Sequence, residues 1–224
     1  STALMYSFRE HPDMLVFDEP LYAHYLRVSG AKHPGRDQVL TDQDNDGNRV
    51  VKDIILGEYP KHCFFKLMTH FLVDIDRSFL NKVINIIFIR DPREIIVSYS
   101  KVISSPSMSD IGVRMQYELF HDLENSSNTP IVLDSKYLLK DPTGILKKLC
   151  EIIDIPYSEN MLEWERGPKH EDGVWAKYWY DNVHASTSFF PYKEVDIELK
   201  EGIESIYQQC LPYYEFLTEK SIRV

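Results

Sequence analysis

The sequence has no apolar run long enough to span a bilayer, and nothing at its start resembles a secretory leader. Cysteine is scarce: Cys63, Cys150 and Cys210 are scattered, odd in number and without metal-ligand spacing. That excludes a disulfide framework or a zinc module, so each reads as a small apolar residue and a reducing, cytoplasmic setting is favoured. The single sequon, Asn125-Ser126-Ser127, is too common a pattern to outweigh this. Positive charge is in deficit, with 25 Lys and Arg against 35 Asp and Glu, a net charge of −10. The balance argues against a general binder of nucleic acid or of an anionic membrane. A nucleotide site would need its own local basic cluster. There is no internal repeat, no low-complexity tract and no initiating methionine before Ser1-Thr2.

What is present suits a single α/β domain over residues 1–224, since 43% of the residues are apolar, ample for a core. The organising stretch is Val83 to Lys101. Val83, Ile84, Ile86, Ile87, Phe88 and Ile89 form a β-branched run expected to be a strand buried on both faces of a parallel sheet. Asp91 is a good N-cap, Pro92 fits the first helical position, and Glu94 would complete a capping box. Ile95, Ile96 and Tyr99 supply the apolar face of the helix. Arg90 thus stands at the carboxyl end of a strand, where open α/β sheets bind ligands, and Ser98 follows two turns along the helix.

An arginine at a strand end, then Asp-Pro, then a serine eight residues on resembles the 3′-phosphate-binding segment of sulfotransferases. These enzymes use 3′-phosphoadenosine 5′-phosphosulfate (PAPS) and release the desulfated nucleotide, PAP. The resemblance implies a three-layer α/β/α fold with a central, mostly parallel sheet of P-loop nucleotide-binding type. It implies that Arg90 and Ser98 hold the 3′-phosphate, a guanidinium fork and a hydroxyl being suited to phosphate oxygens. In that family a first strand and a phosphate loop ending in Ser/Thr lead into the first helix, and Ser1-Thr2 before ALMYSFREH is similar to such an ending. The chain is therefore expected to lack that strand and loop, with Ser1 and Thr2 as nucleotide contacts.

Met14 to Phe17 reads as a second strand, ending in Asp18-Glu19-Pro20, and Leu21, Tyr22, Tyr25 and Leu26 form the buried side of the next helix. Some family members are similar here and use a glutamate as general base, which makes Glu19 a candidate. Cys63 to Phe65 reads as a short strand leading into Lys66-Leu-Met-Thr-His70. Many sulfotransferases carry a lysine and a histidine after such a strand, usually two apart rather than four. The resemblance makes His70 the other candidate base and Lys66 the group that stabilises charge on the sulfuryl group. Residues 71–80 are expected to form a helix, as are 110–124, 142–153 and 194–207, with a strand at Ile131–Leu133 and a turn or flexible loop at Ser104–Ser109.

Two stretches carry further signals. Asp42 to Gly47 looks like the start of an EF-hand loop with Asp53 at its twelfth position, but Arg49 occupies the usually apolar eighth. A flexible acidic loop within 29–52 is the favoured reading, calcium binding being open. Arg166-Gly-Pro-Lys169 and Gly173-Val-Trp175-Ala-Lys177 are similar to the late basic loop that closes over the 3′-phosphate, with Lys169 the preferred contact and Trp175 either stacking or packing.

These pieces together predict an enzyme that transfers a sulfuryl group from PAPS to a hydroxyl or amine of a small molecule or carbohydrate, without a metal. The alternatives are a P-loop small-molecule kinase, with Asp18 or Asp134 holding Mg²⁺, and a non-catalytic nucleotide-binding protein on the same scaffold. Acceptor and oligomeric state are not legible.

Overall fold

The computed structural model describes residues 1–100, 107–194 and 201–224. The chain runs α1 (Thr2–Arg9), β1 (Met14–Asp18), α2 (Tyr22–Ser29), α3 (Arg36–Asp42) and α4 (Gly47–Val50), then β2 (His62–Lys66). It continues through β3 (Ile86–Ile89), α5 (Pro92–Tyr99), α6 (Met108–Ile111), α7 (Val113–Asn125), β4 (Ile131–Asp134), α8 (Ser135–Lys140) and α9 (Pro142–Ile152). The short α10 (Ala176–Trp179) and α11 (Asp181–His184) precede a long α12 (Glu201–Glu219). The architecture is α/β, with two pairs of parallel strands, β1 with β2 and β3 with β4. Two compact units divide the chain: residues 1–79 with 158–190, and residues 80–157 with 191–224. No helix among the described residues is long and apolar enough to cross a membrane, and Cys63, Cys150 and Cys210 are free thiols.

In the first unit, β1 alternates buried and half-buried residues, and its register sets Asp18 opposite Lys66 at the end of β2. Leu4, Met5, Tyr6 and Phe8 of α1 are buried, and Leu21, Tyr22, Ala23 and Leu26 bury one side of α2. The acidic stretch carries α3 and α4 where a loop was expected. Asp46 caps α4 by accepting the Asn48 and Arg49 N–H groups, while Arg49 pairs with Asp44 at 3.2 Å. The arginine at the eighth position thus occupies the carboxylates an EF-hand would give to calcium. The helix expected over 71–80 is replaced by two 3₁₀ turns, Thr69–Phe71 and Arg77–Lys82. Side chains take the backbone groups a helix would have used: Asp76 accepts the Ser78 N–H at 2.9 Å and Arg77 donates twice to the Leu72 carbonyl.

In the second unit, β3 is shorter than expected, with Ile84 outside it and 62% exposed, and it alternates half-buried with buried instead of being buried on both faces. Ile87, Ile89, Ile96, Val132, Phe120 and Leu217 share one core cluster. Asp91 caps α5 by accepting the Arg93 N–H, but Glu94 does not complete the box, its carboxylate pairing instead with Arg90 one turn back. The helix expected over 110–124 is broken at Gly112, whose φ of 76° ends α6 and starts α7. Residues 104–106 of the expected turn, and 195–200 of the expected terminal helix, lie outside the described residues. That helix is found further on: α12 continues through Tyr213 and Tyr214 with Pro212 inside it. The helix at Pro142 and the strand at Ile131 form as expected.

Candidate active site

The carboxyl ends of β1 and β2 carry a closed polar cluster. The parallel register brings Lys66 opposite Asp18, and the next residue, Glu19, turns back over the same spot. Glu19 has a φ of 47°, a left-handed conformation that a non-glycine residue adopts at a cost of about 1–3 kcal/mol. Three hydrogen bonds hold it there. Its N–H donates to the Lys66 carbonyl at 2.8 Å, and its own carbonyl accepts from Tyr22 N–H at 3.0 Å and Gln43 Nε2 at 3.2 Å.

The Lys66 ammonium has three protons and three acceptors: Asp18 Oδ1 at 3.0 Å, the Tyr180 hydroxyl at 2.8 Å and Glu19 Oε1 in a very short contact. All four residues are buried. Burial pushes the Glu19 carboxyl above its ordinary range, more than Lys66 pulls it down, and Asp18 raises it further. Burial alone would lower the Lys66 pKa, but Glu19 and Asp18 together hold it well above the usual range. The Tyr180 hydroxyl is raised as well, chiefly by burial.

A second carboxylate hub stands beside the first. Asp172 accepts from the Tyr6 hydroxyl at 2.7 Å and the Lys169 N–H at 2.7 Å, and lies 2.9 Å from His184 Nε2. Arg9 pairs with Glu171 at 2.9 Å, so the late basic loop is fastened to α1 at two points. Within that loop Trp175 is only 1% exposed. Its ring meets Tyr22 edge-on at 5.2 Å, and a Cβ on Gly173 would stand 2.1 Å from it, so only glycine admits the indole there. The Lys169 ammonium lies 5.9 Å from the centre of the Tyr6 ring.

The remaining expected site residues fall as follows. Ser1 is the N-cap of α1 and exposed, with Thr2 beginning the helix. His70 sits on the turn after β2, its ring against Tyr25 at 4.9 Å and Phe71 at 4.8 Å. Arg90 and Ser98 both lie in the second unit, at the end of β3 and on α5. Their donors suit a phosphate. Arg90 spends Nε on Glu94 at 2.6 Å, and among the described residues neither its two terminal nitrogens nor the exposed Ser98 hydroxyl has a partner. Glu19 and Lys66 are the two expected residues brought into direct contact. Tyr180 was not singled out from the sequence, for nothing local marks a tyrosine 114 residues beyond Lys66 as its partner.

Comparison with known proteins gives three results. The profile of a family described as "Sulfotransferase domain" matches residues 1–221. Two Arabidopsis thaliana proteins named branched-chain-amino-acid aminotransferase-like protein 2 and protein 1 are 35% identical over 219 residues and 36% identical over 221. Each alignment covers 97% of this chain and 39% of the relative, so the chain spans about two fifths of their length. Among solved structures, the sulfotransferase domain from the curacin biosynthetic pathway aligns with a TM-score of 0.41 and 14% identity, covering 84% of this chain and 77% of that one.

Proposed function

The chain belongs to the sulfotransferase-domain family, and from that premise we propose that it transfers the sulfuryl group of PAPS to a hydroxyl or amine of a small molecule or carbohydrate, with Glu19 as the general base. The observation that carries this reading is Glu19 itself. It is a buried carboxylate in a strained conformation at a strand's carboxyl end, with Oε1 fixed by Lys66. Strain of this kind persists where the surroundings impose it and clusters at functional positions. A base must be oriented and have one oxygen to spare, and Oε2 has no hydrogen-bond partner among the described residues.

When bound, PAPS supplies the sulfuryl group, its sulfur–oxygen bond to phosphate breaking as the bond to the acceptor oxygen forms. Glu19 Oε2 takes the acceptor's proton. Lys66, with all three protons engaged, orients Glu19 and contributes its charge at a distance instead of reaching the sulfuryl oxygens. Within the second unit, Arg90 and Ser98 are the proposed 3′-phosphate contacts; within the first, Ser1 and Thr2 are the proposed contacts for the 5′ side and Lys169 the proposed added charge. Trp175 shapes the loop from inside, and His70, packed against Tyr25 and Phe71, is the other candidate base. The kinase reading would assign Mg²⁺ to Asp18 or Asp134, but Asp18 is occupied by Lys66 and Tyr180, and Asp134 by Tyr214, Thr218 and the Lys136 N–H.

The test is titration calorimetry of the full-length protein with PAP, AMP and ATP–Mg²⁺, together with sulfate release from PAPS by the E19Q variant. The expected result is a clear preference for PAP, with E19Q binding it normally and turning PAPS over about 10²- to 10⁴-fold more slowly. A preference for ATP–Mg²⁺, or an E19Q variant as fast as the parent, sinks the reading.

A further inference from the structure

The proposed chemistry leaves one buried group of the β1–β2 cluster without a task, the hydroxyl of Tyr180. It lies between α10 and α11, its N–H bonded to the Ala176 carbonyl at 2.8 Å, and is 5% exposed. A phenol has one proton and two lone pairs. The proton goes to Asp18, whose two oxygens stand 2.9 and 2.8 Å away, and the lone pairs accept from Lys66 Nζ at 2.8 Å and Trp175 Nε1 at 3.3 Å. Nothing on this hydroxyl is free, so its rotor is fixed, and with it one corner of the triangle that holds the lysine.

We propose that Tyr180 is a positioning residue for the transfer reaction: its hydroxyl, set between Asp18 and Lys66, divides the lysine's charge between Asp18 and Glu19 and so sets how readily Glu19 accepts a proton. The inference rests on the reading of Glu19 as the base. The charged groups that face Glu19 are Lys66 from β2 and Asp18 from β1. Tyr180 faces Lys66, Glu19 and Asp18, and its ring meets that of His184 at 5.9 Å. His184 in turn is bound to Asp172, so its pairing lies in the neighbouring hub.

The direction of the effect follows from counting donors. Without the hydroxyl, Asp18 loses a proton donor and Lys66 loses a neutral acceptor, so the freed lysine N–H turns to Asp18 and Glu19 receives less of the lysine's charge. A less compensated carboxylate keeps its proton to higher pH. A more acidic phenol does the reverse: it donates more strongly to Asp18, which then draws less on Lys66 and leaves more of the ammonium to Glu19.

The test uses the full-length protein with Tyr180→Phe and, separately, with 3-fluorotyrosine at position 180, which keeps the ring and the hydroxyl in place. Glu19 is titrated by infrared difference spectroscopy of its carboxyl stretch, the band identified by its absence in E19Q. Sulfate release from PAPS to water, the acceptor always present, is followed over the same pH range. Tyr180→Phe should raise the Glu19 midpoint by about one pH unit, and fluorotyrosine should lower it. The acidic limb of the rate profile should follow each midpoint, and PAP affinity should stay within about twofold. A midpoint unmoved in both proteins overturns the inference and leaves Glu19 as the base. An E19Q variant that matches the parent in sulfate release overturns the base reading instead, whatever the midpoints do.

Discussion

Each unit of this protein ends a parallel strand on a buried aspartate, and the two are treated in opposite ways. In the first, the register sets Asp18 against Lys66, and the carboxylate shares a buried ammonium with Glu19 and Tyr180. In the second, the register sets Asp134 against Ile89, and the carboxyl is met by a backbone N–H at 2.8 Å and by the hydroxyls of Tyr214 and Thr218 at 2.9 and 3.2 Å. The cation at the end of the paired strand, Arg90, follows β3 by one residue and has its side chain 45% exposed. Desolvating a lysine and two acids is costly, and an apolar triad of similar volume would often be as stable. On the proposed reading, the buried charge of the first unit is kept for the transfer chemistry. The exposed charge of the second costs little to keep and is available to a ligand.

The sharpest way to break this comparison is Lys66→Met. Removing one partner strands two buried carboxylates, and a loss of about 3–5 kcal/mol in unfolding free energy is expected at neutral pH. Denaturant titration measures it; a loss below about 1 kcal/mol would mean that the acids are readily hydrated and that the cluster is not a closed one. The pH dependence carries a second signature. The folded-state pKa of Lys66 is raised well above 10.5, so its stabilisation is complete below that pH and disappears as pH rises through the higher folded value. The parent protein should therefore lose this contribution only in strong alkali, and Lys66→Met should lack it at every pH.

Much of this arrangement was legible in the sequence, for identifiable reasons. Strands β1 and β2 were marked by apolar runs, and α5 and α9 by Asp-Pro at their starts. These are local signals, and the strand ends placed Glu19, Lys66 and Arg90 without further information. What the sequence did not show depends on distant contacts. The pairing of Asp18 with Lys66 requires a register between strands 48 residues apart, and Tyr180 enters from 162 residues beyond Asp18. Apolar periodicity also misled where side chains captured backbone groups, as Asp76 and Arg77 did in the stretch expected to be a helix. The fastening of the late loop to α1 by Tyr6–Asp172 and Arg9–Glu171 is invisible for the same reason.

The exposed half of the comparison is sharpened by Arg90→Ala and Arg90→Lys. The ion pair of Arg90 with Glu94 joins an arginine side chain 45% exposed to a glutamate side chain 10% exposed, so unfolding free energy should fall by no more than about 1 kcal/mol in either variant. PAP affinity should fall about 10- to 100-fold in Arg90→Ala, and lysine should not restore it, since a point charge cannot reproduce the guanidinium fork. Calorimetry and a denaturation curve on the same preparations separate the two effects. A fall in stability without a fall in affinity would make Arg90 a structural residue and remove the contrast with Lys66.

The smallest effect is expected at Asp134, and its sign tests whether a neutral set of donors really substitutes for a buried cation. Burial raises the Asp134 pKa above 3.8, overcoming the Lys136 N–H and the two hydroxyls, which act to lower it. The folded protein therefore holds this proton more tightly than the unfolded chain does. The resulting stabilisation is complete below pH 3.8 and is lost as pH rises through the folded pKa. Asparagine cannot titrate, and its side-chain oxygen can still accept the Lys136 N–H while its amide donates to a reoriented Tyr214 hydroxyl. The stability of Asp134→Asn relative to the parent should thus improve between about pH 3 and about pH 7, by no more than about 1 kcal/mol. Denaturant midpoints at the two pH values measure the change. A shift in the other direction would mean that three neutral donors favour the ionised carboxylate as a lysine does, and the two strand ends would then differ in composition but not in kind.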